Sequence, residues 1–128
     1  MIHHVEGART PGIEYLPCGA ITPKAGMALA QSGGKLAIAS GTTAPTYISM
    51  CEKQTACTEG ELIPVLRVLP DMVFETTVQA SAAGVKLGDK VTLHTDGLQV
   101  TATTTSGVAE VVYLDGTAAG SMCRVRFS

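Results

Sequence analysis

The apolar segments of this chain are short, and that limits its folds more than any other feature. Runs of roughly four to eight residues rich in Val, Ile, Leu, Ala and Thr recur about every 8–12 residues, each stopped by Gly, Pro, Asp or Ser. Helices need longer periodic stretches, whereas strands joined by tight turns need only these. About nine such segments predict an all-β domain, closed into a small barrel or folded as a sandwich.

The segments can be placed from residue 23 onward. MALAQ (27–31) and KLAIA (35–39) flank Ser32-Gly33-Gly34 and predict a hairpin with a glycine turn. Pro45 ends the following loop, and YISMCE (47–52) is the next strand. LIPVLRVL (62–69) carries Pro64, which assigns its early part to a sheet edge or a strand start. In MVFETTVQ (72–79), Met72, Phe74, Thr76 and Val78 alternate with Val73, Glu75, Thr77 and Gln79, which points Phe74 inward. ASAAGVKLGDK (80–90) is the one stretch whose composition admits a helical turn, kept short by Gly84 and Gly88. VTLHT (91–95), Asp96-Gly97 and LQVTATT (98–104) predict a second hairpin. EVVYLD (110–115) and SMCRVRF (121–127) complete the set, with Cys123, Val125 and Phe127 on the inner face of the last strand. The expected core includes Leu36, Ile38, Phe74, Val125 and Phe127.

Residues 1–22 differ. They hold two of the six prolines and three of the 14 glycines, with isolated apolar residues (Ile2, Val5, Ile13, Tyr15, Leu16) among turn formers. A segment of this kind builds no core of its own, so it is expected to be an extended arm lying on something else, with residues 23–128 as the single β domain.

Composition narrows the function. Charged residues are 16% of the chain against a typical ~25%, the net charge is -2, and three Tyr and two Phe are the only aromatics. An apolar share of 45% excludes a disordered chain. Nine dispersed basic residues give no footprint for nucleic acid. No window approaches the ~18 apolar residues of a membrane helix, and MIHHVEGARTPG does not read as a signal peptide. Low charge with many small residues fits faces covered by neighbours, and it also fits a low-charge monomer.

The chemistry-bearing residues form no converging set. Cys18, Cys51, Cys57 and Cys123 lack the close pairing of a zinc knuckle. Cys51 and Cys57 straddle a turn, which suits a hairpin disulfide in an oxidising setting; buried free thiols are the preferred assignment. His3 and His4 are adjacent, so on an extended chain they face opposite sides and make a poor metal site. His94 falls on the polar side of its strand beside Thr92. Glu59-x-Glu61 and the Asp71/Glu75 pair lie at a turn or on a polar face. GARTPG lacks the lysine of a phosphate loop, and no nucleophile elbow or zinc-protease helix occurs. The chain is therefore expected not to be an enzyme, and to need neither cofactor nor metal.

Two stretches resemble the small capsid decoration (cement) proteins of tailed bacteriophages, of the lambda head-decoration type. One covers roughly residues 22–75: ITPKAGMALAQSGGKLAIASGTTAP, YISMCEKQTACTEGELIPVLRV and MVFE. The other runs from Gly84 to Phe127, with GVKLGDKVTLHTDGLQVTAT and the terminal CRVRF. Together they span about 100 of the 128 positions, and their shared order carries the likeness. The resemblance implies a β-barrel or β-tulip domain without catalysis, bound to the outside of the phage head as trimers that clamp the major capsid protein lattice. It places a capsid-docking arm on residues 2–16, with Ile2, His3, His4, Val5, Arg9, Ile13, Tyr15 and Leu16 as its candidate contacts. It implies the virion surface as location, reached from the host cytoplasm, with no nucleic-acid or membrane partner. This chain departs from the pattern in lacking Trp and in carrying four cysteines and a His-His pair. Two other classes remain as expectations: a surface-displayed carbohydrate- or receptor-binding β module, and a β-barrel subunit of an enzyme complex. Few aromatics for sugar stacking count against the first.

Overall fold

The computed structural model describes residues 1–7 and 9–127; Ala8 of the N-terminal segment and Ser128 lie outside the described residues. Among those residues there are ten strands and no helix: β1 (His3–Gly7), β2 (Glu14–Cys18), β3 (Ala28–Ser32), β4 (Lys35–Ile38), β5 (Tyr47–Ser49), β6 (Glu61–Arg67), β7 (Met72–Thr77), β8 (Lys90–Val91), β9 (Ala109–Leu114) and β10 (Met122–Phe127). The fold is all-β, as the short apolar runs require. β2, β4, β3, β5 and β6 close into a barrel in that order, and β1, β7, β10, β9 and β8 form a second, antiparallel sheet.

Strand alternation builds two cores from one set of strands. Leu29, Tyr47, Ile63 and Val65 turn into the barrel, where they meet Cys18, Met27, Leu36 and Cys57. Their neighbours Ala28, Ile48 and Leu66 point the other way and pack against the sheet, in a larger core centred on Met72, Phe74, Val125 and Phe127. Each barrel strand facing the sheet is therefore apolar on both sides. Of the expected core, Leu36, Phe74, Val125 and Phe127 are at most 3% exposed, while Ile38 is half-buried against the barrel core.

The turns follow the glycines. Gly33 and Gly34 take φ of 59° and 82°, the doubly left-handed turn that suits the twist between β3 and β4. Gly97 (φ 69°) sits where a Cβ would come within 2.9 Å of Ile38 Cγ2; its carbonyl accepts the Ala28 amide at 2.7 Å, so the 91–104 segment is tied to the barrel.

Pro64 lies within β6, opposite Tyr15 of β2; the β5 ladder begins only at Val65, so the proline stands where β6 has one ladder partner. Residues 80–90 are not helical. Two turns, Val85 N–H to the Ala82 carbonyl and Asp89 N–H to the Lys86 carbonyl, replace the expected helical turn because Gly84 and Gly88 interrupt any longer run. The second hairpin closes through His94 N–H to the Gln99 carbonyl, but its arms pair by isolated bridges (Leu93 with Val100) instead of a continuous ladder.

The N-terminal segment requires the largest correction. It is not an arm apart from the domain: β1 pairs with β7, and β2 pairs with β6 and β4 as a barrel stave. Ile2 is 1% exposed in the larger core, and Cys18 is fully buried in the barrel. The scattered apolar residues that resemble anchors for an outside body are satisfied within the chain. Two five-residue strands, too short to show a period, find partners about 45 to 70 positions away.

Candidate functional site

The outer face of the barrel, where β2 meets β6, is the most unusual surface. Between Glu61 and Arg67, β6 reads Leu62-Ile63-Pro64-Val65-Leu66, with no polar residue. A strand that is apolar at every position is covered on both faces in most folds, whereas a half-solvated strand alternates with polar residues. Here Ile63 and Val65 fill the barrel and Leu66 is covered by the sheet. Leu62 is left 61% exposed, with Pro64 half-buried beside it. Register places Tyr15 opposite Pro64 and Pro17 opposite Leu62 on the same outward face. Tyr15 is 64% exposed, Ile13 just before β2 is 54% exposed, and Met50, whose amide donates to the Pro64 carbonyl at 3.0 Å, is 49% exposed. These side chains form an uncovered apolar patch on the barrel wall.

Charge surrounds the patch without entering it. The Arg67 guanidinium donates two 3.0 Å hydrogen bonds to the Glu14 carboxylate, which lowers that carboxyl's pKa, and it lies over the Tyr47 ring. Lys53 pairs with Glu61 at the other end; together with the Thr58 amide it holds Glu61 below the usual carboxylate range. An apolar centre within a polar rim is the ordinary anatomy of a protein interface. An apolar cleft of about 270 Å³ continues the patch toward β1, lined by Ile2, Ile48, Met50 and Leu66 with His3, His4 and Thr10 at its rim.

The predicted contact residues divide according to this geometry. Ile13 and Tyr15 belong to the patch. Ile2 is core, and Leu16 is half-buried against the barrel interior. His3 is exposed on β1, 3.5 Å from Glu75. His4 pins the chain locally: Nε2 donates to the Glu6 carbonyl (2.9 Å), Nδ1 meets the Thr10 hydroxyl (2.8 Å), and the ring packs against Phe74. Val5 sits at the β1 bulge, and Arg9 is exposed away from any ion pair given by the described residues. Pro17, Met50, Leu62 and Pro64 were not foreseen as contacts. The uninterrupted apolar run of β6 is the signal that could have found Leu62 and Pro64.

The candidate catalytic groups do not converge. Glu59 pairs with Lys35, Glu61 with Lys53, and Glu75 lies between His3 and Arg124. Of these, Glu61 is held ionised by Lys53 and the Thr58 amide, the reverse of what a general acid needs. Among the described residues no group of three or more His, Cys, Asp or Glu is placed to hold a metal ion, and all four cysteines are free thiols. Among the described residues no helix is long and apolar enough to cross a membrane. On the sheet's outer face Tyr113 is 43% exposed, but the Arg124 guanidinium lies 5.7 Å from its ring centre, which occupies a face that a sugar would stack on. No family model matches the chain, and no curated protein matches it.

Proposed function

We propose that this chain is a decoration protein that binds the outer surface of a bacteriophage head and reinforces the lattice of the major capsid protein, with the β2–β6 patch as its docking face. The uncovered part of the outer face of β6 carries the proposal: a strand apolar on both sides has its outer side covered at Leu66 and left open at Leu62. The order of segments shared with lambda-type cement proteins indicates what the missing cover is. The patch also recruits Ile13 and Tyr15 from the segment that the resemblance assigns to docking. In this reading capsid contact is made by a preformed wall, so little ordering entropy opposes binding. Many copies on one lattice, grouped as trimers, add avidity through contacts between neighbours.

The test mixes purified protein with bare, expanded heads of the phage that encodes it and sediments the particles. The wild-type chain is expected to pellet with the heads. Tyr15→Asp and Leu62→Asp place charge at the centre of the patch and are each expected to weaken binding by at least about 30-fold, the effect of losing an interface hot spot worth ~2 kcal/mol. A wild-type chain that stays in the supernatant, or a double variant that pellets at full occupancy, refutes the proposal. The wild-type complex viewed by electron cryomicroscopy gives the copy number and symmetry.

A further inference from the structure

Three cysteines meet at one end of the barrel. The Cys18 carbonyl accepts the Gly60 amide at 2.8 Å, and the Cys57 amide donates to the Ile21 carbonyl at 2.8 Å, so the loop between β5 and β6 is tied to the chain leaving β2. Cys18 and Cys57 lie together in the barrel core at 0% and 4% exposure, and the half-buried Cys51 packs against the same cluster. Burial, then the neighbouring Cys57 thiol, pushes Cys18 up to about 12; burial also raises Cys51. The thiols gather where barrel closure is thinnest, because β2 and β4 share the single residue pair Cys18–Leu36.

We propose that Cys18 and Cys57 are an oxidation site, joined as an intramolecular disulfide by exchange with a small-molecule disulfide such as oxidised glutathione, with Cys51 as the entry thiol. The Cys51 thiolate attacks one sulfur of the small disulfide, forms a mixed disulfide and releases one small thiol. Cys57 then attacks the Cys51 sulfur and releases the second. Cys18, held protonated by burial and so the last to react, displaces Cys51 from Cys57 and returns it as a thiol. Two protein thiols thus give up two electrons and two protons, and the small disulfide takes them up as two thiols. The product joins positions 39 residues apart and bolts the loop to β2. A closed loop of that length shifts the folding equilibrium by on the order of several hundred-fold.

The experiment incubates the intact protein with oxidised glutathione at about pH 8.5, where thiolate becomes available, then alkylates it under denaturing conditions and digests it with trypsin. Cleavage after Arg9, Lys24, Lys35, Lys53 and Arg67 places Cys18, Cys51 and Cys57 in separate peptides, 10–24, 36–53 and 54–67. The expected product links 10–24 to 54–67, leaves Cys51 and Cys123 alkylated, and melts at least about 5 °C higher than the reduced protein. In Cys51→Ser the same link forms several-fold more slowly. A final product linking 36–53 to 54–67, four alkylated cysteines after prolonged oxidation, or an unchanged rate in Cys51→Ser overturns the proposal. The peptide map is read on the wild-type chain and does not depend on any variant folding.

Discussion

Ile2→Ala tests whether the N-terminal segment belongs to the fold. Ile2 is 1% exposed in the core between sheet and barrel, and its amide donates to the Gly26 carbonyl at 2.9 Å. The substitution leaves that hydrogen bond in place and removes three carbons, about 2.4 kcal/mol of transfer free energy at ~0.8 kcal/mol per carbon. A cavity contribution adds to this, but Ile2 also borders the 270 Å³ cleft, so part of the vacated space opens to water. The expected cost is about 2.5–3.5 kcal/mol. For a urea dependence of ~2 kcal/mol/M, that lowers the unfolding midpoint by roughly 1.5 M with an unchanged slope. Val5→Ala, at the exposed bulge of the same strand, is the control and should fall within about 0.5 kcal/mol of wild type. An Ile2→Ala cost below about 1 kcal/mol would mean that residues 1–7 do not close the core and that the segment behaves as a free arm.

Two further outcomes follow from the packing and the ion pairs. Phe74→Ala removes a fully buried ring that meets Phe127 at 5.4 Å and His4 at 5.7 Å; the expected cost is about 3–5 kcal/mol by chemical denaturation, and a cost below ~1 kcal/mol would remove Phe74 from the core. Glu14, Glu52 and Glu61 are each held below the ordinary carboxylate range, by Arg67, by the Ala25 amide and by Lys53 respectively. Their folded pKa values are depressed, so the stability they provide is present above the ordinary range and is lost as pH falls through the lowered values. The urea midpoint should hold down to about pH 5 and drop below about pH 4. Glu61→Gln should flatten that drop, and an unchanged acid profile in this variant would show that the Lys53 pair contributes nothing measurable.

How much of this was legible in the sequence depends on whether the signal was local. The β3–β4 hairpin, β7, β9 and β10 declare themselves through alternation and through Gly-Gly or Gly-rich turns, which are properties of adjacent residues. The 91–104 hairpin was legible as a turn but not as broken pairing, since that depends on how Gly97 docks against Ala28 and Ile38. β1 and β2 were not legible because their signal is nonlocal: five residues each, no period, and partners on β7 and β6. The same limit hid half of the patch. Ile13 and Tyr15 stood out as anchors, but Leu62 and Pro64 become surface residues only once the barrel closes and register sets them beside Tyr15 and Pro17. The proline in β6, read as a mark of an edge, also marks the place where the barrel wall turns its apolar side outward.

The integration of β1 and β2 also decides how docking must be tested. Deleting residues 1–16, the natural experiment for a detachable arm, would remove Ile2 from the core and β2 from the barrel; loss of binding would then report unfolding. Substitutions at the exposed positions separate the two effects. Leu62 and Tyr15 keep more than 60% of their surface in water, so Leu62→Asp or Tyr15→Asp removes little that folding buries. Each variant should unfold within about 0.5 kcal/mol of wild type, because the inward neighbours Ile63 and Leu16 and the ladder between them are untouched. A head-binding defect at unchanged stability assigns the patch to an interface. A Leu62→Asp variant destabilised by more than ~2 kcal/mol would instead mean that Leu62 is held by the fold, and the outward face of β6 would lose its claim to a partner.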